Sequence, residues 1–291
     1  MSESPLSGPA TLAGPPALPS STGKPNKGAG KPSRVGAWIA LIVGALYFIL
    51  PLAATVDFSL KMRRGVYSLD AYRAVFADPQ FQASFGYSVM MGIFAIVLGV
   101  LLVVPTAYWV QLKLPKLRPL IEFITLLPLV IPAIVIVFGY LHVFNSSSFL
   151  PLTGNERATD FLLVCGYVTL CLPYMYRSVD AALRAIDVRS LTEAAECLGA
   201  NWITILFRVI FPNVRSGILS GAFLTFAVVI GEFTMASLLN RPSFGPYLQL
   251  IGANQAYQPS ALAIIAFAIT WASMGLIQLF GSARANTRPK S

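Results

Sequence analysis

The sequence predicts an all-α integral membrane protein with six transmembrane helices and a cytoplasmic loop of two short helices between the fourth and fifth. Three observations support this fold class. The 291 residues are 56% hydrophobic and only 11% charged, whereas a soluble domain carries about 25% charged residues. Six apolar stretches are long enough to cross a bilayer core as helices. One polar segment, residues 187–212, interrupts them.

The N-terminal segment, residues 1–34, is rich in proline, glycine, serine and alanine and ends in four basic residues. Such a composition cannot bury enough apolar surface to offset the entropy of ordering. We therefore expect a disordered cytoplasmic tail over 1–34, a six-helix transmembrane domain over 35–283 and a second cytoplasmic tail over 284–291. No apolar run follows the initiator methionine, so a signal peptide is not expected.

The apolar stretches follow one another along the rest of the chain. They are residues 35–56, 84–110, 119–144, 159–177, 216–239 and 260–281. Backbone groups in lipid must be hydrogen-bonded within the segment, so each stretch is predicted to be helical. Prolines interrupt several of them, namely Pro105, Pro128, Pro132 and Pro173. These prolines either produce kinks that serve packing or shape a pathway, and the sequence leaves both interpretations open.

The distribution of Lys and Arg predicts the orientation. With the N-terminus in the cytoplasm, 15 of these residues lie on the cytoplasmic side and 6 on the outer side. The positive-inside rule favours this arrangement, with both termini in the cytoplasm of a multi-pass protein of the cell (inner) membrane. We therefore attribute the net charge of +9 to membrane topology and contact with lipid. No nucleic-acid partner is expected.

The first outer loop carries apolar residues at helical spacing, namely Leu69, Tyr72, Val75 and Phe76. This spacing predicts a short amphipathic helix, which we expect along the outer membrane surface. It would serve as a connector or contact a partner.

The polar segment between the fourth and fifth stretches begins with a helix-start signal. Ser190 and Glu193 fit a capping box, in which each side chain bonds the other residue's amide. One apolar face follows from Leu191, Ala194, Ala195 and Leu198. A helix this short is marginal alone. It therefore needs packing, either on its own protein or in the groove of a cytoplasmic partner.

The same segment then turns and starts a second helix. Gly199 suits the left-handed position that ends a helix. Asn201 can cap the next helix, which is predicted to begin at Trp202. Pro212 stands where the chain enters the fifth apolar stretch.

This spacing resembles a known motif. The motif residues here are Glu193, Ala194, Ala195, Gly199, Val209, Phe211 and Pro212. They resemble the EAA loop of binding-protein-dependent ABC importer permeases, whose pattern is E-A-A, three residues, G, nine residues, I, one residue, L-P. The chain departs from it with Val209 for Ile and Phe211 for Leu. The resemblance covers residues 35–281 in organisation.

The resemblance implies a function and a set of partners. Residues 190–211 would form coupling helices that dock into a cytoplasmic ATP-binding subunit dimer, with Glu193 making a charged contact or bracing the loop. Gly199 would supply the turn. ATP and Mg²⁺ would bind the partner, so this chain would bind no cofactor and would not be an enzyme. A second permease, identical or related, and an extracytoplasmic solute-binding protein are also implied.

Two residues are candidates for the translocation pathway. Glu232 lies well inside the fifth apolar stretch, where a carboxylate is costly. It would either meet the solute or a gate, or form a hydrogen bond between helices. Tyr174 lies at the inner end of the fourth stretch beside Tyr176, Arg177 and Asp180, which are also typical of an interfacial anchor. The stretch 231–249 resembles permeases for polyamines, ferric iron and phosphonates, and a polyamine is the preferred solute.

Two other classes of protein fit the sequence less well. A self-sufficient secondary transporter would carry more intramembrane ion-coupling residues and an internal repeat, and neither is evident. A membrane enzyme would need clustered catalytic groups, but His142 is the one histidine and the acids are scattered. The three cysteines show no metal-ligand spacing, so no metal site is expected.

Overall fold

The computed structural model describes residues 34–63 and 66–282. Except for Arg34, the two predicted tails lie outside these residues. The helices of the described part are α1 (Arg34–Leu60), α2 (Asp70–Ala77), α3 (Pro79–Leu112), α4 (Arg118–Val130), α5 (Ala133–Val143), α6 (Glu156–Arg184), α7 (Val188–Cys197), α8 (Trp202–Thr204), α9 (Phe211–Asn213), α10 (Arg215–Gly231), α11 (Thr234–Leu238), α12 (Phe244–Asn254) and α13 (Gln258–Ser282). A 3₁₀ turn covers Pro115–Leu117, and a π-helical segment covers Ile205–Ile210.

Three of these helices, α1, α3 and α6, are long and apolar enough to cross a membrane. The number rises to five if two bent pairs each count as one span. One pair is the 3₁₀ turn and α4 with α5, bent by 97°, and the other is residues 202–213 with α10, bent by 78°. The prediction of a helical membrane protein is thus supported, while the count of six spans is not established.

The third apolar stretch is not the single helix that the sequence predicts. It breaks between α4 and α5, where Ile131 is extended (φ −85°, ψ 116°) and Pro132 precedes the first residue of α5. A residue before proline avoids helical backbone angles because the proline ring crowds it. Pro128, by contrast, lies inside α4. Of the two prolines, only Pro132 therefore ends a helix.

The described chain divides into two compact units between Leu50 and Pro51. In the first, residues 34–50 form one helical stretch. In the second, α3, α6 and α10 pack against one another, and α10 approaches α6 through glycine. A Cβ placed on Gly217 would lie 2.5 Å from the Ser178 carbonyl oxygen, and one on Gly221 would lie 2.5 Å from Met175 Sδ. Small residues four apart allow such close helix contact in membranes.

The short helix predicted between the first two apolar stretches is present as α2, but its buried face differs from the predicted one, because Leu69 and Phe76 are exposed. It buries Ala71 and Val75 in an apolar cluster with residues of α3, α10, α12 and α13. Tyr72, on the same helix, shares a 2.7 Å hydrogen bond with Ser59. The helix is therefore held on its own protein, and a position along the membrane surface stays a prediction.

Candidate functional site

The loop between α6 and α10, residues 187–214, holds most of the predicted site residues. Its first helix, α7, begins at Val188, and Asp187 caps it by accepting from the Ser190 amide at 3.1 Å. The Ser190 hydroxyl donates to the same carboxylate at 2.6 Å. The capping box with Ser190 as the cap was therefore wrong, because an aspartate three residues earlier accepts both bonds.

These bonds also affect the charges at the helix start. The hydrogen bond from the Ser190 hydroxyl holds the pKa of the Asp187 carboxyl below its usual range, and the bond from the Ser190 amide adds a smaller effect in the same direction. Glu193 lies one turn after Arg189 and accepts from its Nε at 2.8 Å. Glu193 therefore forms an exposed ion pair along α7 and does not reach back to the helix start.

The buried face of α7 differs from the predicted one. Val188, Thr192 and Ala195 are buried, whereas Ala194 is exposed and Leu198 is 89% exposed. The predicted apolar face did not include Thr192, which is a polar residue. In the structure its hydroxyl donates to the Val188 carbonyl at 2.7 Å, so the residue can be buried without an unmade hydrogen bond.

The turn at Gly199 is confirmed. Gly199 has φ +77°, a left-handed conformation that costs glycine least. The Gly199 amide donates to the Glu196 carbonyl at 2.9 Å, and the Ala200 amide donates to the Ala195 carbonyl at 3.1 Å. These bonds satisfy carbonyls at the end of α7 that would otherwise be free.

The second helical part of the loop begins as predicted. Asn201 caps α8 by accepting from the Thr204 amide at 2.8 Å. Val209 and Phe211 are half-buried and pack on the apolar cluster at this end of the protein, whereas Pro212 is exposed in the first turn of α9. Among the motif residues, Gly199, Val209 and Phe211 thus help to fix the loop. Ala194 and Pro212 are exposed.

We expect Asn201→Ala to loosen the start of α8. Loss of a helix cap costs about 1 kcal/mol, which corresponds to roughly fivefold faster amide exchange. Hydrogen exchange at Thr204 and its neighbours, measured by mass spectrometry, would check this. Asn201→Asp keeps an acceptor and is the matched control. Equal exchange in all three proteins would contradict a capping role.

The loop is fastened to the end of α3 by two side-chain contacts. The Tyr108 hydroxyl lies 3.1 Å from the Thr192 hydroxyl, and both residues are buried. The rings of Trp109 and Trp202 meet edge to face with centroids 6.0 Å apart. Consecutive residues of α3 therefore hold α7 and α8.

The loop also exposes apolar side chains. Leu198 follows the last turn of α7, and Trp202, Ile203 and Phe207 are each about half exposed in the second helical part. Clustered exposed apolar residues typically mark a surface that contacts a protein or a membrane. The loop is thus fixed to α3 and still exposes apolar side chains.

A network of ion pairs joins α4 to α6 at the same end of the protein. Asp180, 7% exposed, accepts from Arg118 Nη2 at 3.1 Å on both oxygens and from Arg184 Nη2 at 2.5 Å. Glu122 accepts from the same two arginines, at 2.9 and 3.2 Å. This network borders a cavity of about 450 Å³ that Tyr176 and Arg177 also line.

The sequence predicted only part of this network. Asp180 was expected in an interfacial anchor, but its partners Arg118 and Arg184 were not predicted, and Arg118 lies 62 residues away in the sequence. Tyr174, a candidate pathway residue, is half-buried in α6 and does not line the cavity. A pathway role for Tyr174 therefore stays a prediction.

Glu232 does not lie inside a helix. It follows the last residue of α10 with extended backbone (φ −78°, ψ 129°), and its side chain is buried. The carboxylate accepts from the Met235 amide at 2.8 Å and the Ala236 amide at 3.2 Å. Those amides belong to the start of α11, where helical amides have no partner within the helix. Glu232 is thus bonded to backbone at a helix break.

A second ion pair fixes the other end of the protein and was missed by the sequence analysis. Arg241 Nε lies 2.7 Å from Asp160 Oδ1, and the Tyr87 hydroxyl donates to the same oxygen at 2.5 Å. Nearby, the Phe244 amide donates to the Ser88 hydroxyl at 2.8 Å. The segment before α12 is therefore held by α3 and α6.

The structure has long apolar helices, two bent helix pairs and a two-part loop fastened to the end of α3. These features are typical of a helical protein that crosses the membrane several times, with a loop that exposes apolar side chains. A model of the family described as the binding-protein-dependent transport system inner membrane component matches residues 95–285. This match covers more than half of the chain, so the chain belongs to that family.

Individual relatives are similar to the chain over part of its length. It is 28% identical over 221 residues to the spermidine/putrescine transport system permease protein PotB of Escherichia coli, covering 69% of this chain and 79% of that protein. It is 31% identical over 162 residues to PotB of Haemophilus influenzae, covering 52% of this chain and 56% of that protein. It thus spans little more than half of the second relative.

Solved structures support the fold. A bacterial ABC transporter that imports the acidic polysaccharide alginate matches with a TM-score of 0.62 at 15% identity, covering 87% of this chain and 96% of that one. The alginate transporter in complex with its pentasaccharide-bound periplasmic protein matches with a TM-score of 0.61 at 16% identity, covering 82% and 91%. At these identities the likeness concerns the fold alone.

Proposed function

We propose that this permease forms half of the solute pathway of an ATP-driven importer and couples to a separate ATPase through residues 187–212. The observation that carries the proposal is the loop's exposed apolar surface at the Gly199 turn. Leu198 is almost fully exposed there, although the helix that precedes it is fixed to α3. An exposed apolar side chain on a firmly held loop is suited to burial against a partner protein.

The remaining parts of the proposal follow from this docking. The ATPase dimer would lie in the cytoplasm, so the loop would face the cytoplasm. The Lys and Arg count supports that orientation, with both termini on the same side. ATP and Mg²⁺ would bind to the partner, and this chain would carry out no chemistry. A second permease, identical or related, would supply the other half of the pathway.

We expect Leu198→Glu to prevent co-purification of the ATPase subunit. Burial of a leucine contributes about 1.5–3 kcal/mol, so its loss alone weakens binding about tenfold or more. The side chain contacts solvent, so the fold should not change. The measurement is the amount of ATPase retained by tagged permease from detergent-solubilised native membranes.

The matched control is Phe149→Glu, because Phe149 is 98% exposed in the loop between α5 and α6, away from the α7 loop. This control should retain the ATPase fully. Retention of the ATPase by Leu198→Glu, or its loss in both variants, would contradict docking through the α7–α8 loop.

The solute that we propose is a polyamine. The relatives named as spermidine/putrescine permeases support this class. A relative described as a probable molybdenum ABC transporter permease protein, from Haloferax volcanii, is 31% identical over 137 residues and covers 47% of this chain and 51% of that protein. Likeness at this level therefore does not fix the solute.

An uptake assay distinguishes these solutes. The complete transporter, with its ATPase, second permease and binding protein, is reconstituted in vesicles and offered radiolabelled spermidine, putrescine or molybdate. Uptake of a polyamine that requires both ATP and the binding protein is the expected result. Uptake of molybdate alone would reassign the solute. Uptake without ATP would instead support a secondary transporter.

A further inference from the structure

A hydrogen bond between two buried side chains joins α7 to α3. The Thr192 hydroxyl donates its single proton to the Val188 carbonyl at 2.7 Å. It can therefore only accept in its 3.1 Å contact with Tyr108, so the Tyr108 hydroxyl is the donor. Both residues are 3% exposed, and a buried hydrogen bond of this kind is costly to break without replacement.

Apolar and aromatic contacts around this bond also hold the loop on α3. Tyr108 belongs to an apolar cluster that includes Val104 of α3, Val188 and Ala195 of α7, and Ile205 of the π-helical segment. The next residue of α3, Trp109, meets Trp202 of α8. A displacement of the loop therefore acts directly on the end of α3.

The other end of α3 contacts the segment before α12. Tyr87 donates to Asp160 and lies 3.3 Å from Arg241 Nε, and Ser88 accepts from the Phe244 amide. Tyr87 and Tyr108 are 21 residues apart on one continuous helix, which corresponds to about 32 Å. That distance is close to the thickness of a bilayer core, about 30 Å.

We propose that α3 transmits movement of the α7–α8 loop to the 239–247 segment at the opposite end, and that Tyr108 is the positioning residue that seats α7 on α3. This inference rests on the proposed function, since it concerns how ATP hydrolysis by a docked partner reaches the solute pathway. Because α3 and α7 are far apart in sequence, the Tyr108 bond can be removed without altering the chain that links α6 to α7.

The test compares Tyr108→Phe with Tyr176→Phe in the complete reconstituted transporter. Both tyrosines lie in the same apolar cluster, but the Tyr176 hydroxyl has no hydrogen-bond partner among the described residues. The two variants therefore make the same chemical change, and only one of them removes a bond. The quantities measured are ATPase retention, ATP hydrolysis and ATP-dependent uptake in the same vesicles.

We expect Tyr108→Phe to retain the ATPase and to hydrolyse ATP within twofold of wild type, while uptake per ATP falls. Loss of one buried hydrogen bond corresponds to about a two- to tenfold effect. Tyr176→Phe should keep the wild-type ratio. Thr192→Ser, which keeps the acceptor, should also keep it, whereas Thr192→Val should lower it.

A stability role alone would lower hydrolysis and uptake together, in proportion to the folded protein, and that result would overturn the proposal. An unchanged ratio in Tyr108→Phe would overturn it as well. If wild type binds no ATPase and takes up no solute, the proposed function fails first, so the two failures are distinguishable.

Discussion

Replacing Gly217 is expected to remove most of the folded protein. A Cβ on Gly217 would lie 2.5 Å from both the Ser178 carbonyl oxygen and the Ala182 Cβ. A backbone oxygen in α6 cannot move aside as a flexible side chain can, so α6 and α10 would have to separate. Overpacking of this kind costs about 1–3 kcal/mol for a small addition. Gly217→Ala should be intermediate and Gly217→Leu should leave little folded protein.

Gly86→Ala is the control, since nothing lies within 4 Å of a Cβ placed on that glycine of α3. There the added methyl favours the helix by up to about 1 kcal/mol. The measurement is the monodisperse fraction of detergent-extracted protein after heating through a series of temperatures. Equal heat resistance of Gly217→Leu and wild type would show that α6 and α10 do not meet as closely as described.

The sequence carries a signal for this contact. Gly217 and Gly221 form a small-residue pair four apart, which is typical of helix contacts in membranes. Hydropathy locates a helix in the sequence but carries no information on its neighbours. The apolar stretches therefore predicted where α3, α6 and α10 lie, whereas the contact between α6 and α10 depends on which residues lack a side chain.

The helix breaks show a second limit of hydropathy. The third stretch is apolar on both sides of Pro132, and the fifth is apolar on both sides of Glu232. In each case a continuous span was predicted and two helices are found. A proline or a carboxylate can sit within a span or end it, and which occurs depends on whether neighbouring groups bond the freed backbone.

In the loop, local signals predicted the turns better than the contacts. Gly199 and Asn201 act within a few residues of themselves, and both predictions are confirmed. The cap at α7 was misplaced by one turn: Asp187 accepts from the Ser190 amide and hydroxyl, so the helix begins before the predicted capping box. The bond between Tyr108 and Thr192 joins residues 84 positions apart, and a single sequence contains no signal for that pair.

Glu232 has the next largest expected effect, and two substitutions separate its possible roles. Its carboxylate accepts from two buried amides, those of Met235 and Ala236. Glu232→Ala leaves both without an acceptor, which costs about 1–3 kcal/mol for each buried group. Glu232→Gln keeps a carbonyl oxygen for one of the amides, whereas its NH2 group cannot accept from the other. We therefore expect the alanine variant to lose heat resistance most and the glutamine variant to lose about half as much.

Transport then distinguishes bonding to backbone from contact with solute. Because both carboxylate oxygens bond to amides, we expect Glu232→Gln to keep at least half of wild-type uptake and Glu232→Ala to lose uptake together with folded protein. A cationic solute that needed the charge would give the opposite pattern, in which Glu232→Gln folds normally and uptake falls at least tenfold. Uptake per milligram of folded protein, measured for both variants in the same vesicles, decides between these patterns. The second pattern would return Glu232 to the translocation pathway and would support a polyamine as the solute.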